Sequence, residues 1–159
     1  MKVLAIDPGY DRLGIAVMEY QDGREHLIYS DCLLTEKNTP LPDRLFTIGE
    51  AIKKILEIYQ PDTVGIETLF FNKNIKTAMG VAQARGIILY LAKVAGCTVY
   101  EFGPQEIKVA VTGYGNSDKS AVFAMVMRLV ADVPQGALDD EYDAIAVGIT
   151  CLAQYGRTR

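Results

Sequence analysis

The order of apolar and polar positions along the chain predicts an opening meander of three strands. Residues 2–7 (KVLAID) form an apolar run that ends in a carboxylate, and a Pro-Gly pair then marks a turn. Residues 13–20 resume an extended pattern, the Asp-Gly pair at 22–23 marks a hairpin turn, and residues 25–34 continue as a third strand. We therefore expect three antiparallel strands at the start of the chain.

The rest of the chain alternates helical and extended patterns. Apolar residues at three- and four-residue spacing between Pro40 and Pro61 predict a helix, and residues 63–67 (TVGIE) form a short apolar strand that again ends on an acid. Strands and helices in this order predict an α/β fold with a mixed five-stranded sheet flanked by helices, in one domain spanning residues 1–159. The remaining expected elements are a loop at 68–76, a helix at 77–95, a strand at 97–102, and helices at 104–111, 120–131 and 140–154.

Composition limits the classes of protein to which the chain can belong. It is 50% hydrophobic and 23% charged with a formal net charge of −4, which speaks against a protein that coats DNA through overall positive charge. Its three cysteines form no C-x-x-C pair, so neither a disulfide framework nor a zinc site is expected. No apolar run approaches the ~20 residues needed to span a bilayer, and no export signal is apparent. We expect a soluble protein of the reducing cytoplasm.

Four carboxylates stand in positions that surface exposure does not explain well. Asp7 and Glu67 each end an apolar strand, where an acid is costly unless it is hydrogen-bonded, paired or metal-bound. A single strand-end acid more often caps a turn, but Asp140 and Asp143 add two acids on one face of a largely apolar helix. Clustered carboxylates repel one another unless cations neutralise them. The pattern therefore predicts bound hard metal ions, Mg²⁺ or Mn²⁺.

The expected metal chemistry is phosphoryl transfer. A single histidine, His26, and the lack of a cysteine pair leave too few nitrogen or sulfur ligands for zinc. A pair of carboxylate-held magnesium ions suits hydrolysis of a phosphodiester. Residues 68–128 contain seven basic and three acidic residues, a local charge of +4 in an otherwise acidic chain. A basic segment beside an acidic cluster is what binding a phosphate backbone requires.

Five segments together resemble a known family. They are IDPGYDRLGIAV, VGIETLFFNKN, AQARG, QEIKVAVTGYGNSDK and DDEYDAIAVGIT, and in this order they resemble the RuvC-type Holliday-junction resolvases over nearly the whole chain. The resemblance implies a ribonuclease H-like fold and a metal-dependent endonuclease that resolves four-way DNA junctions by paired symmetric nicks in recombination and repair. It also implies a homodimer and association with a branch-migration motor of the RuvA-RuvB type.

The resemblance assigns roles to individual residues. It places the catalytic and metal-binding acids on Asp7, Glu67, Asp140 and Asp143, which would hold two Mg²⁺ ions per subunit with Mn²⁺ as a substitute. Asp139 stays open as an alternative to Asp140, because a spacing of four residues also lies on one helix face.

The resemblance also implies basic and DNA-binding residues. Lys108 and Lys119 match catalytic cations near the scissile phosphate, against the alternative of solvated surface lysines. Phe70 matches an aromatic side chain that stacks on unpaired bases, against the alternative of an anchor for its own loop. The other expected DNA contacts are Lys73, Lys76, Arg85, Asn116 and Ser117, with Arg12 as a further candidate for phosphate contact.

The sequence leaves the dimer surface and some rival functions open. Ala82 and Gly86, four residues apart, would permit close approach of another helix, but they equally suit packing on the chain's own sheet. One rival is another ribonuclease H-like nuclease, acting on RNA or RNA–DNA hybrids. An actin-like ATP-binding module is disfavoured because it needs two such domains, and a non-catalytic junction-binding protein is disfavoured by the intact set of acids.

Overall fold

A computed structural model defines residues 1–69 and 75–156 of the chain, without the side chains of residues 75 and 76. The strands are β1 (Lys2–Asp7), β2 (Arg12–Gln21), β3 (Arg24–Leu34), β4 (Thr63–Glu67) and β5 (Thr98–Phe102). The α-helices are α1 (Leu41–Tyr59), α2 (Ile75–Val94), α3 (Pro104–Thr112), α4 (Lys119–Leu129) and α5 (Asp139–Cys151), and a short π-helix follows at Leu152–Gly156.

The strands form one sheet in the order β3-β2-β1-β4-β5. The pairs β1–β2 and β2–β3 are antiparallel, whereas β1–β4 and β4–β5 are parallel. The predicted mixed five-stranded sheet, with three antiparallel strands first, is confirmed. The last helix differs from its prediction at 140–154, because its regular α-helical part ends at Cys151 and the π-helix continues it. None of the helices in the described part of the chain has the length and hydropathy needed to cross a bilayer.

Alternation along β1 assigns its side chains to the two faces of the sheet. Val3 and Ala5 belong to the core formed with α3, α4 and α5, whereas Leu4 and Ile6 belong to the core under α1 and α2. Successive side chains of a strand point to opposite faces. Asp7 therefore continues the row of Val3 and Ala5 and lies on the face covered by α5.

Small residues allow α5 to lie very close to this face. A β-carbon at Gly148 would lie 2.4 Å from Met18 Sδ and 3.3 Å from the β-carbon of Ala5. A β-carbon at Gly65 of β4 would lie 3.3 Å from the β-carbon of Cys151. A side chain at either position would force its neighbours to shift, so the two glycines let α5 lie close to the sheet.

A buried arginine fixes the loop that follows β1. Arg44 of α1 donates from Nε to Thr35 Oγ1 at 2.9 Å and from Nη2 to the carbonyl oxygen of Tyr10 at 3.2 Å. It also pairs with the carboxylate of Asp11, and its guanidinium lies 4.7 Å from the centre of the Tyr10 ring. The guanidinium thus joins α1, the end of β3 and the loop directly after Asp7.

A buried tyrosine similarly fixes the segment before α5. The hydroxyl of Tyr142 donates to the carbonyl oxygen of Pro134 at 2.8 Å and accepts from the backbone amide of Ala137 at 3.1 Å. The ring packs edge-on against Phe123 of α4, with ring centres 4.7 Å apart. The start of α5 is therefore held by its own side chain.

Removing the Tyr142 hydroxyl tests this role. In Tyr142→Phe the amide and carbonyl that it contacts lose a buried partner, so we expect a loss of about 1–3 kcal/mol in the free energy of unfolding, measured in urea. The matched control is Tyr114→Phe, because the Tyr114 side chain in the loop after α3 is 62% exposed and its hydroxyl accepts only a 3.5 Å contact from the exposed Asn116. Equal effects of the two substitutions would contradict the role assigned to Tyr142.

Candidate active site

The sheet brings the two strand-end acids together. Strands β1 and β4 run parallel with Ile6 opposite Ile66, so Asp7 and Glu67 follow side by side at the same edge. Glu67 stands two residues after Gly65, which packs against α5, and so it shares the face of Asp7. The register of two parallel strands therefore brings together two acids that lie sixty residues apart in the sequence.

A glycine on β2 brings the start of α5 to the same place. Gly14 is paired with Asp7, and a β-carbon on Gly14 would lie 1.8 Å from the carbonyl oxygen of Asp140 and 3.1 Å from the β-carbon of Asp7. Sequence reasoning missed Gly14, although a glycine inside an apolar strand signals close approach of another backbone. The four carboxylates Asp7, Glu67, Asp140 and Asp143 are called the acidic cluster below.

Burial and mutual repulsion raise the pKa values of two acids of the cluster. Burial, followed by the negative charges of Glu67, Asp143 and Asp140, raises the pKa of Asp7 to about 8. Burial and then the charge of Asp143 raise the pKa of Glu67. The protonated Asp7 side chain hydrogen-bonds to Glu67, which favours the ionised form of Glu67. In the absence of a bound cation, Asp7 thus keeps a proton, which reduces the negative charge of the cluster.

The geometry favours Asp140 over Asp139 as the first cluster acid of α5. The charge of Asp140 contributes to the raised pKa of Asp7. Asp139 is exposed, and it adds to the raised pKa of Lys119, whose largest cause is the hydrogen bond to Asp143.

Two basic side chains neutralise the acids of α5. Arg12 Nη1 lies 3.2 Å from Asp140 Oδ2, and Lys119 Nζ lies 3.0 Å from Asp143 Oδ2. Among residues 1–69 and 75–156, no three carboxyl, imidazole or thiol groups converge on one metal-binding point as they stand. The α5 acids are held by protein cations in this arrangement.

Both lysines singled out from the sequence lie at the acidic cluster. Lys108 of α3 is half-buried and lines a cleft of about 220 Å³ together with Glu67, Lys119 and Asp143. Two positive charges therefore flank the carboxylates, as a site for a phosphodiester requires.

The other predicted DNA contacts lie outside the described residues or elsewhere in the fold. Phe70 and Lys73 lie outside the described residues, and so does the side chain of Lys76. Arg85 is paired with Glu101 of β5, and its side chain is 17% exposed.

Asn116 and Ser117 lie in the loop between α3 and α4, and Asp118 separates them from Lys119. Ser117 Oγ donates to the carbonyl oxygen of Tyr114 at 2.8 Å, so this loop is internally braced. The Asn116 side chain is exposed. The loop therefore presents Asn116 to solvent close in sequence to the lysine that binds Asp143.

The acidic cluster fits a hard divalent cation. All four of its side chains are carboxylates, which supply the oxygen ligands that Mg²⁺ and Mn²⁺ prefer. Burial and then the neighbouring carboxylates raise the pKa values of Asp7 and Glu67, the two cluster acids that no lysine or arginine of the described residues pairs with. A cation bound here would offset the part of these shifts that comes from the neighbouring charges.

Comparison with known proteins identifies the family of the chain. The family model described as "Crossover junction endodeoxyribonuclease RuvC" matches residues 3–151. The chain belongs to this family. The RuvC of Brevibacillus brevis is 41% identical over 152 residues, covering 94% of this chain and 90% of the relative. The RuvC of Moorella thermoacetica is 40% identical over 159 residues, covering 100% of this chain and 95% of the relative.

Solved structures confirm the predicted ribonuclease H-like fold. The structure titled "T. thermophilus RuvC in complex with Holliday junction substrate" superimposes with a TM-score of 0.91 at 28% identity, covering 98% of this chain and 95% of that one. The yeast mitochondrial Holliday junction resolvase Ydc2 matches with a TM-score of 0.67 at 15% identity, covering 97% of this chain and 81% of that one, and shows the shared fold alone.

The raised pKa of Asp7 predicts that the free energy of unfolding of the metal-free protein falls as the pH rises. Between the ordinary value of 3.8 and about 8 the folded state retains a proton that the unfolded state releases, so a rising pH favours the unfolded state. Asp7→Asn carries no ionisable group at this position and therefore escapes this loss of stability. We expect the variant to be more stable than the parent at pH 8 by at least about 1 kcal/mol, with a smaller difference at pH 5.

Urea unfolding in chelator at the two pH values measures this difference. The matched control is Asp132→Asn, an exposed aspartate with a φ of 62°, a conformation that asparagine tolerates. A lower stability of Asp7→Asn than of the parent at pH 8 would contradict the assigned protonation.

Proposed function

We propose that this protein is a structure-specific endodeoxyribonuclease that resolves four-way (Holliday) DNA junctions by paired symmetric nicks, in homologous recombination and DNA repair. Membership of the crossover junction endodeoxyribonuclease family supports the activity. The observation that carries the proposal is the acidic cluster with Lys108 and Lys119 at its rim. A related protein of known structure holds a Holliday junction substrate on the same fold.

The nuclease is metal-dependent, and we assign the acidic cluster to two Mg²⁺ ions per subunit, with Mn²⁺ as a substitute. When bound, such ions supply an activated water for in-line attack on phosphorus and offset the charge on the leaving oxygen. Hydrolysis breaks the bond between phosphorus and the 3′ oxygen, leaving a 5′-phosphate and a ligatable 3′-hydroxyl. The carboxylate chemistry of the cluster and the raised pKa of Asp7 support this assignment.

The chain's own cations bind and stabilise the scissile phosphate. Lys108 and Lys119 are placed to offset the charge that develops on the phosphate oxygens, because both line the cleft beside Glu67 and Asp143. We retain Phe70 as the residue that stacks on unpaired bases at the junction. The further DNA contacts in the proposal are Lys73, Lys76, Arg85, Asn116 and Ser117, of which Arg85 must first exchange its partner Glu101.

We propose a homodimer that forms through α1 and α2. A groove of about 730 Å³ between these helices is lined by Phe46 and Tyr90, whose side chains are 70% and 69% exposed. Gly86 lines the same groove, and a β-carbon there would meet no described atom within 4 Å. The outward position of Gly86 leaves room for a helix of a second copy. Two-fold symmetry then supplies one active site for each of the two strands to be cut.

We further propose that residues 1–159 act as one nuclease domain in the cytoplasm. The expected partner is a branch-migration motor of the RuvA-RuvB type, which would deliver the junction to the dimer. No residue is assigned to that contact.

Cleavage of defined DNA substrates tests the function. Labelled four-way, three-way and linear DNA and an RNA–DNA hybrid are incubated with protein in Mg²⁺ or in chelator, and the products are resolved on a denaturing gel. We expect paired nicks in the four-way junction that chelator abolishes. Asp7→Asn should abolish cutting and retain junction binding within about threefold, because phosphate contacts made by other residues set binding.

The Asp132→Asn protein serves again as the matched control and should cut like the parent. Equal loss of binding and cutting in Asp7→Asn would overturn the role assigned to Asp7. Cutting of the hybrid in preference to the junction would move the protein to another branch of the same fold, and junction binding without cutting would make it a non-catalytic binder.

A charge placed in the α1–α2 groove tests the dimer. We expect Phe46→Glu to raise the dimer dissociation constant by about 30-fold or more, because a buried interface aromatic carries a large share of the binding energy. The matched control is Ile58→Glu, an exposed apolar residue of the same helix that does not line the groove. Light scattering across a concentration series measures the constants, and equal shifts for the two variants would place the dimer surface elsewhere.

A further inference from the structure

We infer that Arg12 is a resident counter-ion of Asp140 that a bound divalent ion displaces and that then binds a phosphate of the DNA. The inference rests on the proposed function and adds a residue that links metal binding to DNA binding. Lys119 stands in the same relation to Asp143, so both cluster acids of α5 carry their own cation.

The two ion pairs are built from separate elements. Arg12 begins β2 and Lys119 begins α4, yet each reaches one acid of α5, at 3.2 Å and 3.0 Å. The register of β1 with β4 and the close approach of α5 at Gly14 bring the four carboxylates together, and their negative charges attract any cation that can reach them. The two ion pairs therefore offset the negative charge of the α5 acids, as a bound metal ion would.

The backbone of Arg12 is held by its neighbours, whereas half of its side chain is exposed to solvent. A β-carbon at Gly9 would lie 1.9 Å from the carbonyl oxygen of Arg12, so the turn closes tightly, and Arg44 clamps the intervening Tyr10 and Asp11. The Arg12 side chain is 51% exposed. An ion pair this exposed to solvent is weak, so exchanging its partner costs little.

The cleft around Arg12 holds two cations that can bind a phosphate. It has a volume of about 370 Å³, and its charged lining residues are Arg12 and Lys119 together with Asp11, Asp139 and Asp140, of which Asp11 is paired with Arg44. The guanidinium and the ammonium group thus share one cleft beside the acidic cluster. A guanidinium released from a carboxylate can bind two phosphate oxygens at once, which keeps it in the cleft.

Exchange of partners makes metal and DNA binding mutually favourable. A divalent ion on Asp140 removes the attraction that holds Arg12 there, and the freed guanidinium adds a phosphate contact. A phosphate that holds Arg12 in turn leaves Asp140 open to metal. By linkage, each ligand then raises the affinity for the other.

The first test measures metal binding without DNA. Mn²⁺ is titrated calorimetrically into the parent protein and into two variants, Arg12→Gln and Arg24→Gln. The two variants carry the same change of charge. Arg24 begins β3 at the opposite end of the β2–β3 hairpin, roughly 30 Å away along the strand. We expect Arg12→Gln to bind Mn²⁺ about 3–10-fold more tightly, because the competing guanidinium is gone, and Arg24→Gln to change by less than about twofold.

The second test measures the affinity for a four-way junction with Ca²⁺ or with chelator. In the parent, Ca²⁺ should raise junction affinity, and in Arg12→Gln this gain should shrink by about threefold or more because the released cation is absent. Arg24→Gln should keep the full gain.

The inference is overturned if Arg12→Gln binds Mn²⁺ no more tightly than the parent, if Arg24→Gln tightens equally, or if the Ca²⁺-dependent gain is unaltered. Failure of the parent to cut junctions would instead overturn the proposed function, and the Mn²⁺ comparison, made without DNA, would still decide the exchange at Asp140.

Discussion

The site depends on how closely α5 lies on the sheet. Gly14 and Gly148 remove the side chains that would hold the helix away, and the carbonyl oxygen of Asp140 takes the space that a β-carbon of Gly14 would need. Because α5 lies this low, its acids come within electrostatic reach of Asp7.

Bringing four acids together destabilises the folded state through charge repulsion, and three features of the fold offset this effect. A proton stays on Asp7, Arg12 and Lys119 pair with the acids of α5, and the surrounding framework is rigid enough to hold the charges in place. The rigidity comes from groups remote from the chemistry, such as the clamp of Arg44 on the loop after β1. The proton and the two ion pairs act on the charges themselves, whereas the Arg44 clamp positions the loop that joins Asp7 to Arg12.

Much of the fold and part of the site could be predicted from the sequence. Period-two and helical patterns placed the strands and helices to within a few residues, because burial of one face imposes those patterns directly. Asp7 and Glu67 stood out because an acid that ends an apolar strand is expensive. Lys108 and Lys119 were singled out through resemblance, since a lysine on a helix carries no local sign of its partner.

The sequence by itself determined which elements form and which acids are costly, because both follow from local pattern and desolvation. Only the tertiary structure decided that Asp140 rather than Asp139 acts on Asp7, that Arg12 pairs with Asp140, and that Gly86 faces outward from α2. These facts depend on the parallel register of β1 with β4 and on the depth of α5. Both are set by packing between distant parts of the chain, which the spacing of residues along the sequence does not predict.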